Sequence, residues 1–409
     1  PDDTEADIVV INTCGFIQSA KEEAIEEIME AISRKNDGIN KKIIVTGCLA
    51  ERYQKQMDEE FPEIDAVVGI AKNDDIVEII NSVMLDKRVV TFGDKLCHNM
   101  EGDKLQSTLP HYAYLRIADG CSNKCSYCAI PLIRGKMRSR KMENIIEEAK
   151  KFAENGVKEL VIVAQDVTAY GIDLYKKYAL PDPLKELCKI DGIKWIRLLY
   201  CYPERITDEL IETIKTEDKI LNYIDIPIQH CNKEILRNMY RGGDEQSLRE
   251  LFAKLRREIP GVVLRTTLIT GFPGETEEQF SELAEFVNDI KFERLGCFAY
   301  SAEEDTPAAE MPDQVDEGER QRRADIITGE QEIRMGEYYA GMVGNTYEVV
   351  CEGFDRYSDM YFGRSMHFAP EIDGMIYFKS TKEKRPVIGD FINVKITDVL
   401  ENNLLGEQV

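Results

Sequence analysis

Nowhere in the 409 residues is there an unbroken apolar run of about 18, the length a bilayer-crossing helix needs, so no membrane span is expected. The opening residues, PDDTEADIVV, do not form an export signal. They read as the lead-in to a strand, and the first domain is expected to begin before Pro1. Cations are scarce, with 52 Lys and Arg against 76 Asp and Glu, a net charge of −24. That balance opposes broad attachment to nucleic acid, which needs a basic face, and suits a basic partner protein. The eleven cysteines lack the spacing of a small disulfide scaffold. In a long chain without an export signal, this points to reduced thiols, metal ligation and the cytoplasm. The length exceeds one ordinary core, so two or three domains are expected.

What is present is concentrated in GCSNKCSYCAIP, which sets Cys121, Cys125 and Cys128 in a C-x3-C-x2-C run. Zinc normally takes four protein ligands, often as two C-x2-C pairs, and no second pair follows. A closed electron-transfer cluster needs a fourth nearby cysteine, and the next is Cys188. A 4Fe–4S cluster on three thiolates keeps one iron open. An open iron can hold S-adenosylmethionine (AdoMet) by its amino and carboxylate groups for one-electron cleavage. The deoxyadenosyl radical so formed attacks unactivated C–H bonds, chemistry beyond any side chain.

The chain divides into four stretches. Residues 1–93 alternate strand and helix around DIVVINTCG, KIIVTG and AVVGI, an α/β layer with a parallel sheet. Its first helix, from Gln18 to Lys35, carries Ile25, Ile28, Met29 and Ile32 on one stripe. Cys14 and Cys48 stand at the carboxyl ends of the first two strands, the edge where such sheets bind ligands. Equivalent placement after two strands suggests a shared metal site. Residues 94–110 read as a linker holding Cys97 and His98, a pair too isolated to indicate a metal. Residues 111–338 repeat strand then helix six times, an open (βα)6 barrel with right-handed crossovers, then a long polar helix from Arg320 to Tyr339. The three-cysteine loop follows the first of these strands, at the end where barrel function collects. Residues 339–409 are β-rich with intervening glycines, a small antiparallel β-barrel. Residues 341–409 hold seven Lys or Arg against eleven Asp or Glu, a poor composition for gripping phosphates.

YLRIADGCSNKCSYCAIP resembles the radical-AdoMet superfamily and, more narrowly, its methylthiotransferases, over nearly the whole chain. The resemblance implies an N-terminal α/β methylthiotransferase domain, the radical-AdoMet barrel and a closing TRAM-like barrel. It implies a second, auxiliary 4Fe–4S cluster on three cysteines, of which Cys14 and Cys48 match the second and third; the first would precede Pro1. The branch it resembles inserts a methylthio group at the β-carbon of an aspartate in small-subunit ribosomal protein twelve. One AdoMet then supplies the methyl group and another the radical. The partners implied are that basic protein, an external electron donor and a sulfur donor, with nucleic acid not expected as the main substrate. VAQDVTAYGIDLY, IPIQH and APEIDG favour this branch over the one that modifies tRNA adenosine. A non-catalytic iron–sulfur sensor is the alternative of another class.

Several residues are expected near AdoMet. Tyr127 precedes Cys128, where the superfamily places an aromatic near the adenine. Gln165 and Asp166, after the second barrel strand, occupy the place of the methionine amino group. Gly271 and Gly274 of GFPGE let backbone approach a ligand. Gln229 and His230 end the fourth strand without an assigned role. The run IRGKMRSR offers Arg134, Lys136, Arg138 and Arg140, with Lys141 beyond, as either a solvated face or an anion contact. Glu371 and Asp373 in APEIDG are expected to be exposed and to attract the basic partner.

Overall fold

The computed structural model describes residues 6–39, 41–97, 99–102, 105–380 and 385–409. His98 lies outside the described residues, as do Lys382, Glu383 and Lys384 of the terminal charge count. The fold resolves into two compact units. One gathers Pro1–Asp103 with Asp119–Arg138 and Ser301–Met311, and the other holds Lys104–Ala118, Ser139–Tyr300 and Pro312–Val409.

The first unit is built on four parallel strands in chain order: Ile8–Thr13, Lys42–Gly47, Ala66–Val68 and Val89–Thr91. Lys42–Gly47 is apolar without alternation because both faces of the sheet are covered. Ile43 and Val45 pack with Ile28, Ile32 and Met57, while Ile44 packs with Ile79 and Val83. The helix Gln18–Asn36 buries Ala24, Ile28, Ala31 and Ile32, whereas Ile25 and Met29 are exposed. The buried stripe is therefore rotated from the expected one, running through Ala24, Ile28, Ala31 and Ile32. The fourth strand, only three residues long, was not expected.

The second unit holds six parallel strands at neighbouring positions: Tyr112–Arg116, Glu159–Val163, Trp195–Leu198, Ile220–Asp225, Val263–Thr270 and Arg294–Ala299. Among the described residues the first and last have no strand partner on their outer sides, so the barrel is open. Covering helices start where capping residues stand. Asp244 and Thr276 each form reciprocal capping boxes, at Glu245–Glu258 and Glu277–Ile290. The long helix runs Glu317–Met342. Five strands then close a barrel: Thr346–Asp355, Met360–Arg364, Ile376–Lys379, Phe391–Leu400 and Asn403–Gln408. Four pairings are antiparallel, as expected; Ile376–Lys379 lies parallel to the unexpected last strand.

The small barrel meets the amino ends of the large barrel's strands through buried charge. Arg364 binds Glu352 at 2.7 Å and Glu159 at 2.8 Å, and Glu159 also takes Arg197 at 2.8 Å. Burial would raise the Glu159 carboxyl, but the two arginines hold it at about 2. The APEIDG turn belongs to this junction, which corrects its expected role. Asp373 is 5% exposed and accepts from Tyr223 Oη at 2.8 Å, with Arg294 at 3.5 Å. Glu371 is exposed as a residue, yet its carboxylate accepts from Tyr112 and Tyr114. Both acids tie the two barrels together; Asp373 is turned into the junction, while Glu371 stays exposed as expected.

Candidate functional site

Thr13 pairs with Gly47 in register, so Cys14 and Cys48 leave the first unit's sheet at adjacent positions. Cys48 opens the short helix Cys48–Arg52. Gly15 lies so close to that helix start that a Cβ there would meet Leu49 N at 2.7 Å and the Cys48 carbonyl carbon at 3.0 Å. Only glycine allows this approach. Cys14 is exposed and Cys48 half-buried. Burial pushes the Cys48 thiol up, Arg134 pulls it back, and the charge on Cys14 adds to the rise.

The three-cysteine loop belongs to the same compact unit. Cys121 donates its N–H to Gly135 O at 3.1 Å, and Cys128 donates to Cys125 O at 3.1 Å, which curls the loop. All three thiols are half-buried and none is in a disulfide. Directly after Cys128, Ala129 and Ile133 pack with Ile70 against Cys48. Arg134, at the end of the helix Ile130–Arg134, sets Nη2 at 3.6 Å from Cys48 Sγ and Nη1 at 3.0 Å from Asp119. The residues following one cysteine set thus rest on a member of the other. Ala308 N–H donates to Ser126 O, and Glu303, 2% exposed, binds Lys21 and Arg52. Arg52 also donates to Gly15 O. The segment Ser301–Met311 therefore links both cysteine-bearing turns.

Among the described residues no three His, Cys, Asp or Glu side chains are gathered at metal-binding separation. Thiols on one loop have no mutual attraction to gather them; bonds to iron supply it. Both sets otherwise fit iron–sulfur clusters. Each consists of soft sulfur donors outside any disulfide and not fully buried, one set on a single loop and the other at two adjacent strand ends.

The other expected contacts fare differently. Tyr127 is half-buried in the turn before Cys128. Gln165 Oε1 is buried and has no hydrogen-bond partner among the described residues, an acceptor suited to an ammonium group. Asp166 is 3% exposed; one oxygen caps the turn at Thr168 and Ala169, and the other meets Arg205. It shapes the loop and is not an open acceptor. Gly271, at φ +69°, makes room for Arg320, whose Cγ would lie 2.3 Å from a Cβ there. Its N–H and that of Phe272 go to Glu275, and that of Gly274 to Asp313 O. The N–H groups of Gly271 and Gly274 are therefore already paired within the protein. His230 is fully buried beside Glu275, and burial with Arg323 lowers it to about 3, so it stays neutral. Cys97 is exposed, outside both cysteine sets. The basic run does not form a solvated face. Arg134 and Arg138 bind Asp119, and Arg140 is buried with Glu148; only Lys136 and Lys141 are exposed.

Comparison with known proteins decides the family. The model of the Radical SAM superfamily matches residues 115–287, that of Uncharacterized protein family UPF0004 matches 1–69, and that of the TRAM domain matches 343–409. A ribosomal protein uS12 methylthiotransferase RimO of Thermoanaerobacter is 47% identical over 408 residues, covering 99% of this chain and 92% of the relative. Its counterpart in Clostridium botulinum strain Hall is 47% identical over 407 residues, 99% and 90% of the two chains. The RimO protein of Clostridioides difficile is 46% identical, at 98% and 90%. The chain belongs to the RimO family. As a RimO family member it is a radical-AdoMet methylthiotransferase, and its cofactors are AdoMet and 4Fe–4S clusters. A radical S-adenosylmethionine methyltransferase, TsrM of Kitasatospora setae, shares the fold at TM-score 0.58 and 13% identity, over 74% of this chain and 66% of that one. The RimO relatives carry the methylthiotransferase reading past the sensor alternative, and their names place ribosomal protein ahead of tRNA.

Proposed function

We propose that this RimO family member inserts a methylthio group at the β-carbon of an aspartate in ribosomal protein uS12. The observation that carries the reading is the near-full-length similarity to RimO proteins in a chain that holds Cys121, Cys125 and Cys128 together with Cys14 and Cys48. Cys121, Cys125 and Cys128 would hold the radical cluster, and Cys14 and Cys48 would supply two of the three cysteine ligands of the auxiliary one. When bound, AdoMet and the clusters supply the deoxyadenosyl radical that removes the β-hydrogen and the methylated sulfur that replaces it.

The chain's own residues arrange this chemistry. Gln165 Oε1 accepts from the AdoMet amino group, the donor its buried oxygen lacks. Asp166 holds the loop that carries Gln165, through Thr168 and Arg205. Ile70, Ala129 and Ile133 exclude water from the side of Cys48 they cover. The electron and the inserted sulfur come from outside the chain, and the setting is the cytoplasm, where the ribosomal substrate is found. Domain limits of 1–93, 111–338 and 339–409 with a linker at 94–110 remain part of this reading. The test is anaerobic reconstitution with AdoMet, a strong reductant and purified uS12. One methylthio-aspartate by peptide mass supports it; an unmodified protein beside active AdoMet cleavage contradicts it.

A further inference from the structure

Arg134 places a guanidinium nitrogen 3.6 Å from the sulfur of Cys48. Its two nitrogens divide their work. Nη1 meets Asp119, two positions before Cys121, and Nη2 meets Sγ of Cys48. Asp119 is 2% exposed and is shared with Arg138 at 3.5 Å, so two guanidinium groups face one carboxylate. Arg134 thus sets a positive charge beside the Cys48 sulfur, with Asp119 as its counter-ion. The surroundings are apolar, with Ile70, Ala129 and Ile133 packed there, so water screens that charge weakly.

We propose that Arg134 is a positioning residue for the auxiliary cluster, donating to the sulfur of Cys48 and raising the potential at which that cluster accepts an electron. The inference rests on the reading of Cys48 as a cluster ligand. A donor and a positive charge at a ligating thiolate stabilise the more negative, reduced state. The same guanidinium anchors Asp119, so the strand end leading into the radical-cluster loop and the auxiliary ligand share one support.

The test uses full-length protein carrying Cys121→Ala, Cys125→Ala and Cys128→Ala, reconstituted anaerobically so that only the auxiliary cluster is present. Its reduction is followed by EPR during a potentiometric titration, with and without Arg134→Gln. The expected result is retained iron and a midpoint shifted to more negative potential. Arg134→Lys, which keeps the charge but not the two-pronged geometry, shifts it less. Midpoints equal to that of the parent in both variants overturn the proposal. If Arg134→Gln loses its cluster, the Arg134→Lys midpoint decides: a negative shift supports the proposal and an unchanged value overturns it. Cys48→Ala in the same background separates the two readings. Iron retained there removes the ligand assignment and the proposal with it. Iron lost there, with an unmoved midpoint in the Arg134 variants, removes the proposal alone.

Discussion

Arg364 Nη2 lies 2.8 Å from Glu159 Oε2, and both side chains are 1% exposed. One belongs to the small terminal barrel and the other to the second strand of the large barrel. Removing one partner of a buried ion pair leaves an uncompensated charge and costs about 3–5 kcal/mol. Arg364→Ala is expected to lower the unfolding free energy by about that much. Deleting residues 341–409 strips Arg364, Glu352 and Asp373 from their partners together, and is expected to give an aggregating protein without AdoMet cleavage. A soluble truncated protein that cleaves AdoMet at the parent rate goes against the junction's role.

Cys121→Ala, Cys125→Ala and Cys128→Ala should each abolish deoxyadenosine formation, because a three-thiolate cluster has no spare ligand. Chromatography of anaerobic reactions with dithionite reads the outcome. Wild-type product levels from any one variant exclude that loop as the radical site.

Cys14→Ala or Cys48→Ala in the full-length protein should leave deoxyadenosine formation in place and stop sulfur insertion. Iron content should fall by about one cluster. Unchanged iron with full methylthiolation removes both residues from the auxiliary site.

Acid should destabilise the fold in two stages. His230, lowered to about 3 by burial and Arg323, stays neutral in the fold while the unfolded chain takes up a proton. Stability therefore falls as pH drops through about 6.5, the unfolded value, toward 3. Glu159, held at about 2 by Arg364 and Arg197 against its burial, contributes stability that is present above about 4.3 and lost as pH falls toward 2. Denaturant titrations between pH 7 and 3 should show His230→Gln with a flatter upper stage and an intact lower one. An identical pH profile for parent and variant speaks against a buried neutral imidazole.

Much of this was legible in the sequence because apolar runs begin where strands begin. ELVIV at Glu159 and WIRL at Trp195 are buried on both faces and contain no competing turn residue. The equivalence of Cys14 and Cys48 was visible as two strand ends, and the Thr13–Gly47 register confirms it. Short elements escaped: Val89–Thr91 has three residues, and Asn403–Gln408 follows the preceding strand after only two. APEIDG read as surface because acids between proline and glycine usually are. Its Tyr223 and Arg294 partners stand far away in the chain. Arg134 escaped for the same reason. A cationic run looks solvated until its distant partner, Cys48, is placed beside it.

The most direct measurement uses uS12 carrying aspartate deuterated at the β-carbon, mixed in one anaerobic reaction with unlabelled tRNA. Radical chemistry at that carbon moves deuterium into deoxyadenosine. The account predicts deuterated deoxyadenosine together with a methylthiolated uS12 peptide and unchanged tRNA nucleosides. Unlabelled deoxyadenosine with methylthiolated adenosine in the tRNA would contradict it.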